Sequence, residues 1–155
     1  MNALRPILLV EDSAKDVELV LAALKKNNFA NHVAVARDGE EALDWLHRRG
    51  TFAGRTETLP LVIFLDLKMP RKDGLEVLED IKRDPVLRVV PVVMLTSSRE
   101  EADLVRSYRL GVNAYVVKPV GFQEFVDAIR QTGMFWAAIN EPPPTEPRSR
   151  NPDNR

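Results

Sequence analysis

The chain has 155 residues, a net charge of −1 from 22 basic and 23 acidic residues, and no cysteine; its length suits one domain with a full core. The balanced, interspersed charge argues against nucleic-acid or anionic-membrane partners, and the lack of cysteine excludes disulfides, thiolate chemistry and cysteine-ligated metals. No apolar run is long enough to cross a bilayer, and Ile7 to Val10 is too short for a signal-peptide core, so a soluble protein of the reducing cytoplasm is expected.

In chain order, Ile7-Leu8-Leu9-Val10 reads as a buried strand ending in Glu11-Asp12. Ser13 is placed to cap a helix, with Asp16 completing a capping box, and Val17, Val20, Leu21 and Leu24 recur at helical spacing. His32-Val33-Ala34-Val35-Ala36 predicts a short second strand; Asp38-Gly39 then turns into a helix with Ala42, Leu43 and Leu46 facing inward. Residues 48–60 hold two glycines, three threonines and mixed charge, which predicts a long surface loop. Leu61-Val62-Ile63-Phe64-Leu65 then runs without alternation into Asp66, the pattern of a strand covered on both faces. Leu67-Lys68-Met69-Pro70 and Asp73-Gly74 supply turn chemistry, and Leu75, Leu78 and Ile81 mark a helix closed by Asp84-Pro85.

Pro91-Val92-Val93-Met94-Leu95 predicts a fourth strand ending at Thr96-Ser97-Ser98, and residues 99–110 a charged helix. Ala114-Tyr115-Val116-Val117 predicts a fifth strand ending at Lys118-Pro119; Phe122, Phe125, Val126 and Ile129 give the last helix its buried face. Five strands alternating with five helices imply an α/β domain, a parallel sheet wound on both faces by right-handed crossovers. The domain is expected over residues 1–139. Pro142, Pro143, Pro144, Pro147 and Pro152 then make residues 140–155 an extended or disordered tail.

This topology brings Glu11, Asp12, Asp66, Thr96 and Lys118 to one sheet edge, where open α/β sheets bind ligands. Three carboxylates in one cleft repel one another unless a cation intervenes, and oxygen ligands suit Mg²⁺. A lysine and a hydroxyl opposite the metal suit phosphoryl oxygens, with Asp66 as a candidate nucleophile forming an acyl phosphate. Taken singly, each residue has a plainer explanation: Glu11 and Asp12 favour a helix N-terminus, Asp66 caps a strand, Thr96 caps a turn, and Lys118 is a solvated turn residue. Those explanations leave unaccounted for why all five stand at the ends of the correct strands.

Leu8-Leu9-Val10-Glu11-Asp12, Leu65-Asp66-Leu67-Lys68-Met69-Pro70 with Asp73-Gly74, Leu95-Thr96-Ser97, and the run from Gly111 to Pro119 resemble the receiver domain of two-component response regulators. The resemblance covers about residues 5–138 and includes every motif in order. It implies a flavodoxin-like five-stranded sheet of order 2-1-3-4-5. It further implies that Asp66 accepts a phosphoryl group from a histidine kinase, and that Glu11, Asp12, Asp66 and the Lys68 backbone carbonyl form the Mg²⁺ site. Lys118 would pair with the phosphoryl group ahead of a cis Lys118–Pro119 bond. Thr96 and Tyr115 match the family's switch pair, although Tyr115 alone would read as a half-buried aromatic on an edge strand. Glu11 stands where the family often has aspartate.

By the same resemblance the protein is no enzyme beyond its own phosphotransfer from phosphohistidine and its autodephosphorylation. No output domain is expected after the receiver, and the long loop and proline-rich end are similar to stand-alone response regulators that partner phytochrome histidine kinases. A homodimer through the fourth helix, fifth strand and fifth helix is implied; Phe135, outside the buried face of the last helix, adds an apolar patch there. A phosphate shuttle to a histidine phosphotransfer protein remains open. A Mg²⁺-dependent phosphohydrolase is disfavoured because Lys68 occupies the place of a general-acid aspartate. A dinucleotide-binding module is also disfavoured, since no glycine fingerprint follows the first strand.

Overall fold

The unalternated apolar runs become strands because a parallel sheet covered on both faces buries every side chain along them. The computed structural model describes residues 5–26, 28–56, 58–97, 100–118 and 123. Among these, β1 is Ile7–Val10, β2 Val33–Ala36, β3 Val62–Leu65, β4 Val92–Thr96 and β5 Ala114–Val117. The central strands β1, β3 and β4 are buried at every position, whereas β2 and β5 retain partly exposed residues. All pairings are parallel and the order is β2-β1-β3-β4-β5, as the resemblance implied.

Four helices lie among the described residues: α1 (Ala14–Lys26), α2 (Gly39–His47), α3 (Gly74–Arg83) and α4 (Glu101–Arg109). The expected fifth helix, the Phe135 patch, Ser98, the Lys118–Pro119 bond and the tail fall outside the described residues. Alternation along the strands divides the core between the two faces of the sheet. Leu8, Val10, Ile63, Leu65, Val92 and Met94 pack with Ala42, Leu43 and Leu46 of α2 and with Leu75, Leu78 and Ile81 of α3. On the other face, Ile7, Leu9, Val62, Phe64, Val93 and Leu95 pack with Val17, Val20 and Leu24 of α1.

The loop at residues 48–60 is more ordered than its composition suggested. It contains a 3-10 turn at Gly50–Phe52, and Phe52 and Leu59 pack against the core. Arg55 lies over the Trp45 ring at 3.7 Å from its centre and donates from Nε to the Trp45 carbonyl at 3.0 Å. Trp45 itself is buried in the α2 side of the core, where the inward spacing of Ala42, Leu43 and Leu46 had not included it.

Local capping fixes the helix starts. Asp38 accepts from the Glu41 amide at 2.8 Å at the start of α2, and Asp73 and Glu76 form a reciprocal capping box at α3. At α1, Ser13 Oγ accepts from the Asp16 amide at 3.4 Å, but the Ser13 amide donates to Glu11 Oε1 at 3.1 Å. The capping box expected of Ser13 and Asp16 is therefore only half formed, because the Asp16 carboxylate is engaged with Lys118 instead.

Candidate functional site

Register brings the charged residues together. Val10 pairs with Leu65, so Glu11 and Asp66 each stand one residue past a matched pair, and the Asp66 amide donates to the Val10 carbonyl at 3.0 Å. Thr96 pairs with Val117, and the Lys118 amide donates to the Thr96 carbonyl at 2.8 Å. Strand order reverses its direction of growth between β1 and β3, which opens a crevice at their carboxyl ends. Glu11 and Asp66 occupy that crevice.

One oxygen from each of Glu11, Asp12 and Asp66 lies within 4.8 Å of the others; Asp12 is exposed, the other two buried. Oxygens around an octahedral Mg²⁺ at about 2.1 Å are about 3.0 Å apart when adjacent and about 4.2 Å when opposite. Small side-chain rotations thus close the set on such an ion, and its all-oxygen chemistry fits a hard divalent cation. Lys118 Nζ lies 2.6 Å from Glu11 Oε2, 2.8 Å from Asp16 Oδ2 and 3.6 Å from Asp66 Oδ2. A single ammonium therefore faces three carboxylates, with Asp12 beside them.

The imbalance registers in the proton affinities. Burial above all, with the charge of Asp66 added, pushes Glu11 up to about 7, against the lowering pull of Lys118 and the Ser13 amide. Burial works against the Lys118 ammonium too, yet its bonds to Asp16 and Glu11 and the charge of Asp66 outweigh it and hold its pKa above the ordinary lysine value. A close ion pair usually lowers its acid. Glu11 is raised all the same, because its burial and the neighbouring charge of Asp66 outweigh what Lys118 and the Ser13 amide offset.

The loop after β3 is pressed onto the site. A Cβ on Gly74 would lie 2.3 Å from the Asp66 carbonyl oxygen and 2.8 Å from Leu67 Cα, and the Gly74 amide donates to the Leu67 carbonyl at 2.8 Å. Only glycine fits that approach. The Lys68 side chain leaves the carboxylate cluster and pairs with Asp103 of α4 at 3.6 Å. Thr96 is completely buried, and half-buried Tyr115 packs against the core on the α2 and α3 side. Of the residues foreseen from sequence, Glu11, Asp12, Asp66 and Lys118 converge, with Thr96 beside them on β4. Asp16 was missed as a site residue. Its position one turn into a helix that starts at the strand ends was the available signal.

Comparison with known proteins places this geometry in a family. Residues 7–130 match the model of the response regulator receiver domain. The chain is 38% identical over 135 residues to Response regulator Rcp1 of Synechocystis, covering 87% of this chain and 90% of that one. It is similar to the solved structure of the bacteriophytochrome response regulator AtBRR at 60% identity and a TM-score of 0.80, covering 90% of this chain and all of that one. RtBRR, another bacteriophytochrome response regulator, gives 59% identity and a TM-score of 0.80, with 91% of this chain and 85% of that one covered. The Mn²⁺-bound form of Rcp1 gives 38% identity and a TM-score of 0.71, covering 85% of this chain and 92% of that one. With these motifs, this strand order and this edge of carboxylates around one lysine, the chain belongs to the response regulator receiver domain family.

Proposed function

We propose that this receiver carries a two-component signal by accepting a phosphoryl group on Asp66 from a sensor histidine kinase. In that reaction an Asp66 carboxylate oxygen attacks phosphorus in line, the O–P bond forms as the P–N bond of phosphohistidine breaks, and the departing imidazole keeps the nitrogen lone pair. Glu11, Asp12, Asp66 and the Lys68 carbonyl would hold Mg²⁺, which when bound supplies positive charge to the phosphoryl oxygens. Lys118 would pair with the same oxygens through its ammonium, 3.6 Å from Asp66 Oδ2, and Thr96 would offer a hydroxyl from β4. Thr96 and Tyr115 then act as the switch pair.

The observation that carries this reading is the Glu11, Asp12 and Asp66 cluster, closed within 4.8 Å, with Lys118 Nζ 3.6 Å from Asp66. Similarity to two bacteriophytochrome response regulators supports a phytochrome-type kinase as partner. The exposed Leu104, Val105 and Tyr108 of α4 support a homodimer through α4, β5 and the fifth helix. No turnover of external substrates is part of the reading beyond acceptance of the group and its hydrolysis. The Lys68 side chain, paired with Asp103, is no general acid for a phosphohydrolase.

The test is incubation with acetyl phosphate and Mg²⁺ followed by intact-mass measurement. Wild type gains one phosphoryl group and Asp66→Asn gains none. Equal gain by the variant, or none by wild type, refutes the assignment.

A further inference from the structure

Asp16 is the carboxylate around Lys118 that stands outside the Glu11, Asp12 and Asp66 cluster. Glu11 Oε1 accepts from the Ser13 amide and Oε2 from Lys118, so a cation that draws on Glu11 competes with the ammonium for its charge. Asp66 must likewise present oxygens to the cation and to phosphorus. Two of the three partners of Nζ would therefore be shared with the cation when the site is loaded. Asp16, at 2.8 Å, is the remaining partner.

Its support is rigid. Asp16 lies in the first turn of a 13-residue helix whose Val17, Val20 and Leu24 are buried against the sheet. Its own amide is tied to Ser13 Oγ. A short side chain on a packed helix fixes an ammonium far more closely than a loop residue would. An ammonium has three donors: with one held by Asp16, the others are free to face the phosphoryl oxygens over Asp66, already 3.6 Å from Nζ.

We infer that Asp16 is a positioning residue for phosphoryl transfer, holding Lys118 at the phosphoryl side of Asp66 once Glu11 and Asp66 engage the cation; this rests on the reading of Asp66 as phosphoacceptor. A bland role is also available, since an acid in the first turn favours the helix dipole. That role has no reason to act through Lys118. The two are separated by a double-mutant cycle with full-length protein, acetyl phosphate as donor and saturating Mg²⁺.

Asp16→Asn lowers the maximal phosphorylation rate about tenfold while half-saturation by acetyl phosphate stays within about twofold. Asp16→Glu recovers a substantial part of the rate. In a Lys118→Ala background, Asp16→Asn has no further effect. Nuclear magnetic resonance adds a readout that needs no donor: the Mg²⁺-bound protein shows a slowly exchanging Lys118 ammonium signal, which Asp16→Asn abolishes. A wild-type rate in Asp16→Asn, the same slowing without Lys118, or an unchanged ammonium signal overturns the inference. If wild type itself takes no phosphoryl group, the phosphoacceptor reading is what fails. The ammonium signal tells the two failures apart.

Discussion

Glu11→Gln should make the metal-free protein more stable at alkaline pH than at acidic pH, relative to wild type. Glu11 moves from 4.5 in the unfolded chain to about 7 when folded, so ionising it in the fold costs roughly 3–4 kcal/mol more than in the open chain, at ~1.4 kcal/mol per pH unit. The sign follows from the raised value. The stabilising contribution of protonated Glu11 is fully present below the unfolded pKa, falls as pH rises, and is lost above about 7. Integrated between about pH 5 and pH 8, the loss is on the order of 2–3 kcal/mol in wild type, and a glutamine, which resembles the protonated acid in shape, is spared it.

Lys118 stays an ammonium throughout that window, because its pKa is held above the ordinary lysine value, so Glu11 is the member of the pair that titrates there. The assay is urea unfolding with a chelator present, followed by circular dichroism and by the fluorescence of buried Trp45. The quantity of interest is the variant-minus-wild-type difference at the two pH values. A difference that stays constant to within about 0.5 kcal/mol would refute the claim that burial and Asp66 strain the Glu11 charge.

Two further outcomes follow from the same geometry. Mg²⁺ at a hundredfold its dissociation constant should stabilise wild type by about 2.7 kcal/mol, seen as a rise in melting temperature, and should do little for the Asp12→Ala, Asp66→Asn double variant; equal shifts would remove the cluster as the metal site. Gly74→Ala puts a Cβ at 2.3 Å from the Asp66 carbonyl, so it should lose about 1–3 kcal/mol in urea unfolding along with most of its phosphorylation by acetyl phosphate. Wild-type values for both measurements would show that the β3–α3 loop has room to spare.

Much of the arrangement was legible because it depends on short-range pattern. The unbroken runs at Ile7–Val10 and Leu61–Leu65 each end in carboxylates, and parallel pairing then brings those ends together. The less legible parts depend on side chains reaching across space. Asp16 looked like half of a capping box because capping is a local pattern, whereas its bond to Lys118 joins residues 102 apart in sequence. Trp45 stands off the simplest inward stripe of α2, and Arg55 of the following loop covers its ring. No periodicity encodes such a cover. The turn of Lys68 toward Asp103 is likewise set by where α4 packs.

The sheet also gives the molecule a sidedness. Thr96 follows Met94 by two residues and shares its side of the sheet, the side on which Tyr115 packs and α2 and α3 lie. Val93, Leu95, Ala114 and Val116 face the opposite way, toward α1. A rearrangement limited to Thr96 and Tyr115 therefore works on one hemisphere alone, where α4 leans on α3 and β5. Under the proposed switch, the α1 side, packed on the sheet through Val17, Val20 and Leu24, would keep Asp16 in place for the next phosphoryl group while the side holding Thr96 and Tyr115 rearranged. On that proposal, reception and broadcast would draw on different sides of a single layer of strands.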